Sequence, residues 1–242
     1  MSASLLRALG AVLFSASAAA AQEARVEYSV QPSLTLDTRH VPDSGVVRYL
    51  VTERSDSTKQ VGAITFAYRA LTIGGAPAFE RAETWQFGAN AFVDTVVLFR
   101  RTLAPVRQHA WTRGVVSERT YDGRRVQRRP GWGQVRDSTL TETRMLPTPI
   151  FGASTSDLLA AAVPLVDGYT AVVPSEADQE PGFERDTIRV TRDDSVAHRW
   201  TVHFADPFIV DAFTVDERTR HIIEWDMRRR DGRIDWRLMP RS

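Results

Sequence analysis

Over most of its length the chain alternates apolar and polar residues with a period of two, the spacing that turns one face of a β-strand inward and the other to water. Runs rich in β-branched and aromatic residues cover 46–54, 62–73, 78–87, 92–103, 106–113 and 115–121, each closed by turn residues. That spacing predicts an antiparallel meander. The plainest breaks are Gly74-Gly75-Ala76-Pro77 and Gly88-Ala89-Asn90, and Asp122-Gly123 has the chemistry of a two-residue hairpin turn. Gly131-Trp132-Gly133 reads as loop. Strand patterns resume at 169–173, 185–191, 198–204 and 208–215 and lead into a last hairpin.

That hairpin has a register legible in two ways. With Asp231-Gly232 as a two-residue turn, Trp225 faces Leu238 and Met227 faces Trp236 on one side. On the other side Asp226 meets Arg237 and Arg228 meets Asp235, opposite charges both times. Pattern and turn agree, so the strands are expected to have one wet face and one buried face.

One segment carries helix signals instead. Ser154-Thr155-Ser156 offers N-cap hydroxyls, Asp157 places negative charge in the first turn, and the apolar run 158–163 ends near Pro164 and Gly168. The run is apolar nearly all round and must be covered on most sides. A single buried helix amid meanders predicts a mainly β fold: a strongly curved antiparallel sheet, a half-barrel, wrapped around one short apolar helix.

Ahead of the pattern, residues 1–21 read as a cleavable secretory signal: one charge at Arg7, an apolar stretch, then Ala19-Ala20-Ala21 before Gln22. Its strongly apolar part is too short for a retained span, so the mature chain is expected to be periplasmic or secreted and not membrane-spanning. Residues 22–45 form a polar leading segment with Pro32 and Pro42, with room for one short strand, and 46–242 are expected to form a single domain. The chain ends in Met239-Pro240-Arg241-Ser242 and carries arginines along many strands, unlike an outer-membrane barrel.

Charge and composition narrow the chemistry further. The 31 basic and 30 acidic residues nearly cancel, which argues against a nucleic-acid partner. The absence of cysteine removes disulfides, thiolate metal sites and lipidation at the cleavage point, leaving stability to the core. No cofactor fingerprint or phosphate loop is present. His40, His109, His198, His203 and His221 lack metal-ligand spacing, with His198 and His203 expected on opposite faces of one strand. Ser154 and Ser156 lack the Gly-x-Ser-x-Gly frame, and Asp193-Asp194-Ser195 reads as a hairpin turn rather than a carboxylate pair. A non-enzymatic protein is expected.

The leader, the long meander, the central apolar helix and the unit Val215-Asp216-Glu217-Arg218-Thr219-Arg220-His221-Ile222 followed by strands together resemble the periplasmic lipoprotein-carrier (Lol-like) half-barrel superfamily and related envelope families. The resemblance is one of layout, from Val46 onward. It implies an incomplete antiparallel barrel holding an apolar cavity lidded by helix, in proteins that ferry acylated lipoproteins or other lipids. Carriers usually show several helices where this chain shows one, and none of their binding residues maps here by motif.

The candidate site is therefore an apolar cavity, lined by Trp85, Phe87, Phe99, Trp111, Leu158, Leu159, Val163, Trp200, Trp225 and Trp236. A curved sheet with one helix can fill its concavity or leave it open to a lipid-like ligand. The alternative is an envelope interaction or scaffold domain that presents its arginine-rich outer strands to a protein partner.

Overall fold

Paired glycines set the first half of the sheet. Gly74 and Gly75, at φ 57° and 82°, form a two-residue turn that only residues tolerant of the left-handed region can make. They join β2 (Asp56–Ile73) to β3 (Ala76–Phe87), and β1 (Gly45–Glu53) lies on the other side of β2. The meander continues through β4 (Asn90–Phe99), β5 (Pro105–Thr112), β6 (Val115–Asp122), β7 (Arg125–Arg129) and β8 (Glu142–Met145). In this computed structural model the described residues are 34, 36–112, 115–129, 141–146, 151, 155–176 and 183–241, without the side chains of 111, 112, 115, 176, 183 and 184. The expected signal segment and the Gly131-Trp132-Gly133 loop lie outside them.

A second meander runs through β9 (Thr170–Glu176), β10 (Phe183–Arg192), β11 (Arg199–Ala205), β12 (Ile209–Asp216), β13 (Ile222–Arg229) and β14 (Asp235–Arg241). β14 pairs with β1, so the two meanders join into one antiparallel sheet of 14 strands in the order 8-7-6-5-4-3-2-1-14-13-12-11-10-9. Helix α1 (Ser156–Ala162) falls in the connection from β8 to β9. The sheet is open, with β8 and β9 at the ends of that order, and its described residues belong to one compact unit, Pro32–Ser242.

The last hairpin has the expected register: Trp225 opposite Leu238, Asp226 opposite Arg237, Met227 opposite Trp236, Arg228 opposite Asp235. Its loop is wider than a two-residue turn, because Gly232 N–H bonds Arg229 O and Arg229 N–H bonds Ile234 O. At β6–β7 the turn shifts by one residue from the expected Asp122-Gly123, since Asp122 pairs with Arg125 and leaves Gly123-Arg124 in the turn. His198 stands in a turn at φ 64°, not on β11 as expected. Asp216 secures the β12–β13 turn by accepting bonds from the Arg218 and Thr219 N–H groups and the Thr219 hydroxyl.

The core lies on one face of the sheet and takes in all of α1 that is apolar. Leu158, Leu159, Ala160, Ala161, Ala162 and Val163 pack with Val51, Ile64, Phe66, Phe79, Val202, Phe213 and Leu238. The leading segment also reaches it: a short 3-10 turn at Thr38–His40 is followed by Val41, which is buried, and Asp37 N–H bonds the Ala162 carbonyl at the end of α1. Arg220 donates from Nη1 to the Val163 carbonyl at 2.9 Å, satisfying a second acceptor at that helix end.

Candidate functional site

On β3 the alternation places Phe79, Arg81, Glu83, Trp85 and Phe87 on the core face together. Two charged side chains are thus carried inward by the period that buries the aromatics. Arg81 is 1% exposed and Glu83 5%. Desolvated charge on this scale persists only when paired. Arg81 Nη2 lies 3.0 Å from Asp157 Oδ1 on α1 and 3.3 Å from Glu83 Oε2, and its guanidinium sits 4.1 Å from the centroid of the Phe66 ring. The first-turn aspartate of the helix is therefore a buried ion-pair partner of a strand.

The polar strip extends across the sheet. Glu83 is opposite Asp94 on β4, whose carboxylate accepts a bond of 2.6 Å from Gln108 Nε2 on β5. Gln108 Oε1 in turn accepts from Arg119 Nη1 at 3.1 Å and from the Tyr121 hydroxyl at 3.2 Å. Burial pushes Glu83 up to about 7 against the pull of Arg81, and raises Asp157 also. Across the core, Asp211 on β12 accepts from Trp225 Nε1 at 2.9 Å and is held up to about 7, again by burial. Tyr49 and Tyr68 are shifted upward by the same cause.

Beside this strip the aromatics cluster. Trp85 lies 5.8 Å from Phe87, 6.1 Å from Trp225 and 6.4 Å from Trp236 between ring centroids, and Phe87 lies 4.9 Å from Trp236. Trp225 continues the contacts to Phe213 at 5.0 Å, Tyr49 at 6.4 Å and Phe66 at 6.5 Å. Gly62 makes room for this arrangement, since a Cβ there would stand 2.4 Å from the Gln86 carbonyl and 2.6 Å from the Phe87 ring. Trp85, Phe87 and Trp236 are half-buried and form a rim to the core. The Trp85 indole N–H donates to Glu83, tying the rim to the polar strip.

The chain matches no family model, curated protein or solved structure.

Of the ten candidate side chains, Leu158, Leu159, Val163, Trp200 and Trp225 are buried in the core and Trp85, Phe87 and Trp236 pack against it. Phe99 stands at the end of β4, where alternation with Asp94, Val96 and Leu98 turns it to the other face. Trp111 has no described side chain. A cavity of about 140 Å³ lies by the β6–β7 turn, lined by Thr120, Tyr121, Asp122, Arg125 and Gln127. Among the described residues no group of His, Asp and Glu side chains is placed to hold a metal, and no helix is long and apolar enough to cross a membrane.

Arg81, Glu83, Asp94, Asp157 and Asp211 were not candidates from the sequence. The signal was present for the β3 pair: residues 79 to 87 alternate, and two of the inward positions are charged. That the charge of Asp157 would be met by a strand far away in sequence was not readable from local pattern.

Proposed function

We propose that this is an exported, periplasmic, non-enzymatic protein that holds an apolar, lipid-like ligand against the rim formed by Trp85, Phe87 and Trp236, after the manner of a half-barrel carrier. The observation that carries the proposal is the meeting of distant strands. β3 and β13 are four strands apart, roughly 19 Å along a flat sheet at the usual strand spacing, yet the Trp85 and Trp225 rings are 6.1 Å apart. A half-barrel accounts for that approach. Its concave side is filled by α1 and the core, and the rings left half-exposed at its border supply apolar area for a ligand chain, with the Trp85 indole N–H already engaged by Glu83.

The outer face supports a protein partner less well. Asp226 is held by Arg237 at 2.8 Å and Arg54 at 3.0 Å, and Arg237 also approaches Glu224 at 3.4 Å, so these charges are satisfied within the sheet. Native mass spectrometry of protein taken from an envelope fraction tests the reading, together with titration of the purified protein by a neutral solvatochromic dye. Adducts of lipid mass and saturable dye binding lost in Trp236→Ala are expected. A bare mass with no saturable binding would overturn it.

A further inference from the structure

Two buried carboxylates converge on one buried guanidinium. Arg81, Glu83 and Asp157 are 1%, 5% and 6% exposed, in a region closed to water. Glu83 and Asp157 approach the same nitrogen of Arg81, at 3.3 Å and 3.0 Å, from different elements. The guanidinium is covered on one side by the Phe66 ring. Sharing one donor nitrogen between two carboxylates in a dry site leaves both short of positive charge, and the least unfavourable relief is a proton on one of them.

The geometry selects which one. Asp157 has the closer approach to Arg81 and also accepts the backbone N–H of Leu158, both of which favour its ionised form. Glu83 has the longer approach and faces Asp94 and Asp157 as like charges. Among the described residues, the other groups against it are Trp85 on its own strand, which donates one indole N–H, Phe66, its partner on β2, the neutral Tyr68 and Tyr49, and Asp94 on β4, which Gln108 links to Arg119 on β6.

We propose that Glu83 is a proton switch that couples the half-exposed rim at Trp85 to the seating of α1, by changing how Arg81 is shared. With Glu83 neutral, Arg81 belongs to Asp157 and the helix is fastened to β3. With Glu83 ionised, Arg81 is divided, an uncompensated negative charge lies beside Asp157, and the helix attachment weakens. The Trp85 indole reports the change, because its acceptor is the group that titrates. The switch is a property of the chain itself and does not rest on the ligand reading.

Wild-type protein and Glu83→Gln are compared from about pH 5.5 to about pH 8.5. Amide exchange at residues 159–163, corrected for the intrinsic chemical rate, is expected to lose about tenfold in protection across that range in the wild type. In Glu83→Gln it is expected to stay level. In the wild type alone, the Glu83 carboxyl ¹³C and Trp85 indole ¹H–¹⁵N resonances are expected to move together with one near-neutral midpoint. This second measurement keeps the test decisive where the variant fails to fold. A Glu83 midpoint in the ordinary glutamate range, an indole that does not follow it, or an unchanged slope in Glu83→Gln would overturn the proposal.

Discussion

Replacing Arg81 by methionine isolates the energetics of the buried cluster. The substitution keeps an unbranched apolar stem over Phe66 but removes the positive charge that Asp157 and Glu83 share. Breaking a buried pair from one side leaves uncompensated charge and costs about 3–5 kcal/mol. That is a large part of the roughly 5–15 kcal/mol by which a domain is stable. The loss follows from desolvated carboxylates, so it should shrink as acid neutralises them. It should also be largely recovered when both are replaced, in Arg81→Met/Glu83→Gln/Asp157→Asn, where none of the three positions carries a charge. Urea unfolding of the wild type, the single and the triple variant, at neutral pH and at about pH 5, separates these contributions. A single variant within about 1 kcal/mol of the wild type would refute the reasoning. So would a triple variant as damaged as the single one.

Three further outcomes follow from the same geometry. Glu83 and Asp211 are both raised to about 7, so the folded state holds protons the unfolded chain would release: stability is fully present below the ordinary carboxylate range and is lost as pH rises through about 7. For Glu83 this is worth up to about 3 kcal/mol, and thermal melts across pH should show a shallower fall in Glu83→Gln. Trp236→Ala should cost about 3 kcal/mol through lost packing on Phe87 and Trp85, whereas Arg237→Ala on the outer face should cost within about 1 kcal/mol; equal losses in denaturant melts would mean the inward face is misassigned. Gly62→Ala should cost about 1–3 kcal/mol by driving a methyl group into the Gln86 carbonyl and the Phe87 ring, and an unchanged midpoint would show that β2 and β3 are not so closely seated.

Local chemistry made parts of this fold legible. The register of the last hairpin follows from residues that are neighbours in both sequence and space, where apolar and charged pairs agree. The apolar run 158–163 likewise locates α1, apart from its exact start. What failed were features set by distant partners or by weak pattern. β7 is Arg125–Arg129, with three arginines among five residues, and β8 has four residues, so neither shows the apolar enrichment that marks a strand. The meeting of β1 with β14 leaves no trace in the period of either strand, because alternation fixes which way a side chain points but not which strand lies beside it. Arg81 and Glu83 carried the inward phase of β3, but a rule that assigns charge to the wet face looks past them.

The β1–β14 ladder has a kinetic side. During synthesis β1 emerges first and its partner of the later meander last, so the N-terminal meander must persist with one flank of β1 unpaired until nearly the whole chain is available. Closure across that separation makes folding slow and concentrates its decisive step late. In the interval β1 offers an unsatisfied backbone edge and the apolar residues Tyr49 and Val51, the kind of template on which chains associate wrongly. The centre of the finished sheet is the most exposed part of the unfinished one, and a holding factor that recognises nascent chains would find its target there.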